Sequence, residues 1–500
     1  MLTVDTTDPA YLDLSDDLVS RLDGIKRHLT YRSKSAEFVY RKFKNGALWY
    51  ANKHGEEAFA ERVMELKADI NKCLLMDKPG GGYRTYAGLA GHLGQYLKCG
   101  FLNPVVYPEA KPLPWAKKPP ALRPYQEEAK AAMLEGKHCA VSMGTGLGKT
   151  LCALYICRDL GLQATVMVPS LSIADQMLAD FTKYLGSKYV GQYGGGKKKI
   201  GKLITIAVAA SLARIEPGSP AAEHFAATQV FVADESHLTP AETLKAVCTG
   251  LLVSAPYRFF FSGTQMRGDG ADLLLQGIIG PIVYNMTVKQ GVDTGFLARP
   301  VFKMFKVRSE DTYSGDPNVM TRRHLYYNPK VNALAADIAN KAVSLLGHKV
   351  LILVDEFEQF ASLLPYFRHV AKFAHGGIGK GNKDKLPVEF HDSDPTSLVA
   401  EFNAGNIPIL VGTSCIATGT DVKAVQTMIY LRGGKSEVEV KQSVGRTTRL
   451  MPEIRKTYCN VVDFKVYVDS EPSSILEKHA DQRAALFDDI YGPIETIEAR

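Results

Sequence analysis

Residues 142–150 read Ser-Met-Gly-Thr-Gly-Leu-Gly-Lys-Thr, and what this stretch becomes decides the fold. An apolar run, Cys139-Ala140-Val141, precedes it. Leu151-Cys152-Ala153-Leu154-Tyr155-Ile156-Cys157 follows, with spacing suited to a buried helix. Strand, glycine turn, Lys-Thr, helix is the order of a phosphate-binding loop. Glycines let backbone N–H groups converge on phosphate oxygens, and the helix behind them points its positive end at the same charge. On this reading Gly144, Thr145, Gly146 and Gly148 line the triphosphate of ATP. Lys149 reaches the β- and γ-phosphates, and the Thr150 hydroxyl helps hold Mg²⁺. One position departs from the strict pattern G-x-x-x-x-G-K-[ST], which places glycine where this chain has Met143. A glycine turn ahead of an ordinary helix is the plain alternative.

Other stretches are arranged around this loop. Upstream lies Leu122-Arg123-Pro124-Tyr125-Gln126, ahead of an amphipathic helix. The amide of Gln126 both donates and accepts, so it can read an adenine edge. Downstream, the apolar strand Val230-Phe231-Val232-Ala233 delivers Asp234 and Glu235 at its carboxyl end, where ligands sit in open α/β sheets. Asp234 would hold Mg²⁺, and Glu235 would orient or deprotonate the attacking water. Further strands are predicted at 164–168, ending in Pro169-Ser170, at 203–208 before Ser211, and at 258–261, running into Ser262-Gly263-Thr264. The loop Gly194-Gly195-Gly196-Lys197-Lys198-Lys199 either meets backbone phosphate or is a solvated turn.

Near the other end stands Gln442-Ser443-Val444-Gly445-Arg446-Thr447-Thr448-Arg449. A helix would put Arg446 and Arg449 on one face at i, i+3, with Gln442 one turn earlier. Two guanidiniums aimed at a γ-phosphate stabilise the charge of its transition state. The alternative is an exposed basic helix.

The bulk numbers frame these motifs. A chain of 500 residues suggests about three domains. With 46% hydrophobic and 23% charged residues it is a globular composition, and no apolar run approaches the roughly 20 residues of a membrane span. The acidic start lacks a signal pattern, and eight cysteines occur without a C-x-x-C pair, so a reducing cytoplasm is expected. A formal charge of +7 permits a polyanionic partner.

Residues 1–115 read as a separate small α/β unit ending in a proline-rich linker at 104–120. Its basic, aromatic segment holds Arg41 and Lys42, candidates for nucleic-acid contact, although the aromatics are equally suited to a core. Residues 56–76 are predicted as one amphipathic helix with Phe59, Val63 and Leu66 on a face. The segment 309–330 leads into the second half. His375 to Gly381 mimics a phosphate loop, but Gly381 stands where a Ser or Thr is needed, so it is read as a basic loop. The tail from 469 fits a short helix.

Together these motifs resemble a superfamily 2 DExH-type helicase. Residues 122–126 look like the Q motif, 143–150 like motif I, and Asp234-Glu235-Ser236-His237 like motif II. Ser262-Gly263-Thr264 is similar to motif III, 410–421 to motif V and 442–449 to motif VI. The resemblance spans about 120–465, and the layout is most similar to the phage UvsW branch, which acts on branched DNA. It implies an α/β fold of two tandem RecA-like parallel-sheet domains, at 116–295 and 296–465, after the N-terminal domain and before a helical tail at 466–500. It adds Arg123, Gly419 and Asp421 to the ATP site. It puts Ser170, Ser211, Thr413 and Ser414 on the nucleic-acid side, where Lys197 and Lys198 would join them.

The expected activity is ATP-dependent DNA unwinding or translocation that remodels forks and junctions in replication or recombination. The expected partners are branched DNA and single-stranded-DNA-binding or replication proteins; no membrane is involved, and the chain is expected to be a monomer. An RNA-remodelling ATPase is the enzymatic alternative, since backbone contacts do not separate DNA from RNA. A non-motor nucleic-acid-binding scaffold is the alternative of another class.

Overall fold

The computed structural model describes all residues except 1, 2, 6, 15, 98, 99, 103, 104, 264–271, 379–383, 414, 415, 417–421, 435, 436, 455, 469–473 and 500. At 3–5, 16, 17, 19, 48, 100–102, 237, 272, 437–439, 442, 446 and 452 only the backbone is described. The chain forms two compact units, Met1–Met143 with Gly148–Asn285, and Gly144–Leu147 with Met286–Arg500. Among the described residues no helix is long and apolar enough to cross a membrane.

The first unit holds an eight-stranded sheet in the order 197–199, 190–194, 204–208, 164–168, 230–233, 257–262, 138–143, 282–286. Its inner strands run parallel, and only the Lys197–Lys199 strand is shown antiparallel to its neighbour. Parallel strands are covered by helices on both faces, so they read as unbroken apolar runs rather than alternating ones. Ala164–Val168, Ile204–Val208 and Val230–Ala233 are each buried along their whole length. Arg258 is an exception in chemistry but not in burial. At 1% exposure, its guanidinium donates to the carbonyls of Cys248, Leu252, Val253 and Ala255 at 2.7–2.9 Å. Those are the orphan acceptors where the preceding helix ends, which is why a cation is tolerated there.

A smaller mixed sheet, in the order 76–77, 83–86, 11–14, 3–5, 100–102, forms the N-terminal domain. Its core holds Leu12, Ile25, Leu29, Leu89 and Leu93, with Leu273 and Leu274 of the large sheet's layer packed against it. A second pair of short strands, Thr30–Arg32 and Asn71–Cys73, carries three helices between them. The helix expected over 56–76 therefore stops at Ala68, because the chain must turn back to make this strand pair.

The second unit is a seven-stranded, wholly parallel sheet in the order 371–374, 409–412, 349–353, 425–430, 458–467, 299–308, 495–498. Apolar clusters cover both of its faces. The segment beyond 466, expected as a helical tail, is part of this sheet. Helix Ile475–Tyr491 packs Phe487 onto Phe302, and strand Glu495–Glu498 pairs with Lys303–Lys306. Arg483 of this helix forms a buried ion pair with Asp463 at 2.8 Å.

Candidate nucleotide site

The strand His138–Met143 ends at the motif, and the helix Lys149–Leu160 begins at its lysine. Gly146 and Gly148 adopt φ of 88° and 79°, a region that side chains disfavour, so the turn needs glycine at these two positions. Met143 does not need to be glycine. It is the last residue of the buried strand, with its side chain in the core and its carbonyl accepting from Lys149 Nζ at 3.2 Å.

Lys149 is 7% exposed, and its ammonium lies 3.0 Å from Glu235 Oε1. Asp234 is also buried, its side chain accepting from the Glu235 N–H at 3.0 Å. Burial above all, and then the charge of Glu235, push the Asp234 carboxyl up from its ordinary range; Lys149 and the Glu235 N–H oppose this. Two carboxyl groups and one ammonium thus share a secluded corner at the carboxyl ends of strands 230–233 and 138–143, which flank strand 257–262. Glu235 has φ of 48°, a left-handed backbone for a non-glycine residue. Ser236 then opens a short 3-10 turn, its hydroxyl donating to Phe261 O at 3.5 Å.

Gln126 is brought to the loop, although not as a free adenine reader. Its Oε1 accepts from the Arg123 N–H at 2.8 Å, closing a capping box on the Pro124–Gly136 helix. Its Nε2 donates to Gly148 O at 3.4 Å. The Arg123 guanidinium donates to the Tyr125 hydroxyl at 3.3 Å. Thr150 is half-buried on the first turn of the loop helix.

Of the residues expected on the nucleic-acid side, Ser170 caps the helix Leu171–Leu185, accepting from the Ile173 N–H at 3.4 Å. Ser211 lies on the short helix after strand Ile204–Val208, and Gly194 of the glycine turn packs so tightly there that a Cβ would meet Ser211 Oγ at 3.0 Å. The lysine segment is not a loop but an exposed edge strand, Lys197–Lys199. Lys197 is engaged by Asp175 at 2.8 Å, while Lys198 is exposed in register with Tyr193. Arg41 is paired with Glu37 at 2.5 Å, and Lys42 is exposed on the same helix.

In the second unit Thr413 follows strand Ile409–Gly412, its N–H donating to Ala374 O at 3.3 Å. The helix Glu437–Thr447 buries Val440, Val444 and Thr447. It ends at Thr447, two residues before Arg449, so Arg449 lies beyond the helix on which the i, i+3 reading placed it. The Thr448 hydroxyl donates to Gly445 O at 2.8 Å, and the half-buried Arg449 follows outside any helix or strand. Gly419, Asp421, Ser414 and Thr264 lie outside the described residues, as do the side chains of Gln442 and Arg446.

Some partners were not singled out from sequence. Asp175, on the helix after Ser170, collects both Gln192 and Lys197. Asp463 and Arg483 are far apart in sequence and meet only through the sheet. The strand Arg299–Arg308 had a readable sign, since Phe302, Met304 and Val307 are buried between more exposed neighbours.

Comparison with known proteins agrees with this geometry. Residues 120–267 match the family model described as the res subunit of type III restriction enzymes, and 337–451 match the helicase conserved C-terminal domain. The DNA 3'-5' translocase XPB2 of Sulfurisphaera tokodaii is 30% identical over 366 residues, covering 68% of this chain and 81% of that protein. The ATP-dependent DNA helicase uvsW of Enterobacteria phage T4 is 23% identical over 342 residues, 65% of each chain. Among solved structures, the HsdR-type subunit fragment of a type I restriction enzyme from Vibrio vulnificus YJ016 superposes with a TM-score of 0.53 at 20% identity. That match covers 77% of this chain and 70% of the other, and it speaks for the fold alone.

Proposed function

The chain belongs to the superfamily 2 helicases, and from that premise we propose that it is a DNA motor that spends ATP to remodel branched DNA, unwinding forks and migrating junctions. The observation that carries the motor reading is the Lys149–Glu235 ion pair beside buried Asp234. A lysine held by a carboxylate at a glycine turn is a cation awaiting a stronger anion. The triphosphate of ATP supplies one, and Lys149 passing to it releases Glu235. Glu235 then accepts the proton of the attacking water. Arg446 and Arg449 are assigned to the charge that spreads over the γ-phosphate in the transition state, with Gln442 positioning water or phosphate. Thr145 and the glycines of the loop cradle the phosphates, while Gln126 and Arg123 serve the base. Asp421 and Gly419 are assigned to the ribose side.

Mg²⁺ fits the residues present. Its usual ligands are a few protein oxygens completed by substrate phosphates, and a hydroxyl and a carboxyl are the donors this site offers. Thr150 and Asp234 would hold it, and the buried Asp234 carboxyl, raised by its burial and then by Glu235, is a group that a cation would return to its charged form. Bound there, Mg²⁺ supplies neutralisation of the β- and γ-phosphate oxygens.

The preference for branched DNA rests on the likeness to uvsW and on the basic, aromatic segment 32–54 of the N-terminal domain. Ser170, Ser211, Lys197, Lys198, Thr413 and Ser414 are proposed to follow the backbone of any sequence, since short hydroxyls and lysines meet phosphate without reading bases. We assign 1–115 to the accessory domain, 116–295 to the first motor domain and 296–465 to the second, with 466–500 completing the latter's sheet. The protein is taken to work as a cytoplasmic monomer alongside single-stranded-DNA-binding or replication proteins.

The test is ATP hydrolysis and strand displacement across forks, four-way junctions, blunt duplex, single-stranded DNA and RNA. Forks and junctions should stimulate turnover most and be resolved only with ATP. Equal or greater stimulation by RNA would move the protein to the RNA-remodelling class, and no stimulation by any nucleic acid would leave it a scaffold.

A further inference from the structure

Between Arg32 and Asn71 the chain leaves the N-terminal domain on one strand and returns on its antiparallel neighbour, with Arg32 paired to Asn71 and Thr30 to Cys73. The three helices strung between them, Lys34–Asn45, Ala47–His54 and Glu56–Ala68, have little interior. Among their described side chains only Leu66 is buried, and the first helix buries none. Phe43 gathers Tyr50 and Phe59 at centroid distances of 4.9 and 5.5 Å, which ties the helices together. Other large apolar groups stay outside this cluster. Phe38 is 67% exposed and Trp49 is 63% exposed.

The same two helices hold the charge. From Arg32 to His54 there are six cations, Arg32, Lys34, Arg41, Lys42, Lys44 and Lys53, against one carboxylate. That carboxylate, Glu37, is already shared by Arg32 and Arg41. The third helix is different, with Glu56, Glu57, Glu61 and Glu65 along it. Phe38, Arg41 and Lys42 fall at i, i+3 and i+4, one stripe of a helix. Lys53 sits one turn beyond Trp49 with its ammonium 4.9 Å from the ring centroid.

A surface meant for phosphate alone needs no exposed Phe and Trp. A surface meant for an apolar protein partner gains nothing from six cations. An unpaired nucleic-acid strand uses both, because its bases present flat faces to rings while its phosphates pass over lysines. In duplex DNA those faces are hidden in the stack. Resting on the reading of this chain as a motor on branched DNA, we infer that the 34–54 helix pair is a stacking platform for the unpaired strand at a junction, with Phe38 and Trp49 against bases and Lys42, Lys44 and Lys53 along the backbone.

The experiment uses the full chain without nucleotide and reads anisotropy of labelled dT₂₀, a fork with dT₂₀ arms, and a blunt duplex. The double variant Phe38→Ala/Trp49→Ala should lose about 10- to 100-fold in affinity for dT₂₀ and the fork, from stacking lost at two rings, while blunt duplex moves by less than about twofold. In a Trp115→Phe background, which leaves Trp49 as the single tryptophan of the two in the chain, dT₂₀ should quench the emission. Unchanged affinities with no quenching would overturn the inference and leave the patch to a protein partner; an equal loss on blunt duplex, whose base faces are hidden, would overturn it because stacking on bases could not be its cause. Wild-type ATPase on the same fork keeps the two readings apart. Fork-stimulated turnover together with an unaffected double variant sinks the platform alone, whereas turnover indifferent to DNA sinks the motor.

Discussion

Lys149 Nζ rests 3.0 Å from Glu235 Oε1, so the residue proposed to grip the triphosphate and the residue proposed to activate water are each other's partner. Both are largely shielded, with side-chain exposures of 7% and 20%, and the pair is flanked by buried Asp234. Neither group is left to desolvate alone, which is the condition for keeping charges in such a place. The arrangement also keeps the proposed base paired until an anion competes for the lysine.

Removing the lysine should leave two neighbouring carboxyls without their cation. For Lys149→Ala we expect ATP turnover to fall at least about 10²-fold, the scale seen when a single preorganised electrostatic donor is lost. Phosphate release at saturating ATP checks this, and wild-type turnover would refute the site.

Glu235→Gln keeps the shape and deletes the charge. Turnover should drop by about 10²–10⁴, the usual contribution of a positioned base. ATP affinity should hold or rise, because Lys149 no longer has a carboxylate to leave. Equilibrium binding of a labelled ATP analogue, read beside turnover, separates the two effects; loss of both together would argue against a role confined to the base.

Gln126 joins the Arg123 N–H to the Gly148 carbonyl. In Gln126→Ala the helix loses its cap, costing about 1 kcal/mol of stability, and KM for ATP should rise. If the amide also reads the base, the ratio of kcat/KM between ATP and GTP should shrink toward one. A variant with unaltered nucleotide preference would restrict Gln126 to holding the loop.

Burial holds Lys456 down to about 8, from 10.5, with its ammonium donating only to Lys423 O among the described contacts at 2.9 Å. Below pH 8 both folded and unfolded chains carry this proton. Between about 8 and 10.5 the folded chain has released it while the unfolded chain keeps it, so stability rises with pH across that window. The gain is up to about 3 kcal/mol at about 1.4 kcal/mol per unit. Urea melts at pH 7.5 and 10 should show that Lys456→Met is the flatter of the two proteins.

The Arg483–Asp463 pair, at 4% and 3% exposure, couples the helix after 474 to the second sheet. Arg483→Met strands a buried carboxylate and should cost about 3–5 kcal/mol. Truncation at 468 should abolish cooperative unfolding of the second unit rather than trim a dispensable tail. A truncated chain that melts like the full one would contradict this.

What could be read from the chain beforehand divides along physical lines. Buried parallel strands announce themselves as apolar runs, and 164–168, 204–208 and 230–233 were legible almost to the residue. The glycine turn and the Asp-Glu pair were legible because their chemistry is local. Helix ends were less so: nothing in 56–76 warned that Asn71–Cys73 would be taken by a strand partner forty residues upstream, and Arg449 sits past the end of a helix that closes at Thr447. The long parallel pair 299–308 with 458–467, and the strand 495–498 beside it, depend on partners far apart in sequence. Met143 was read as a departure, yet a strand's last residue has no need of glycine.

Glu235 stands at φ 48°, and an L-residue held there carries roughly 1–2 kcal/mol of conformational tension. The ion pair to Lys149 and the 3-10 turn at Ser236 keep it cocked. In the proposed mechanism, where Lys149 passes to the triphosphate, the backbone cost of presenting Glu235 is therefore met when the chain folds.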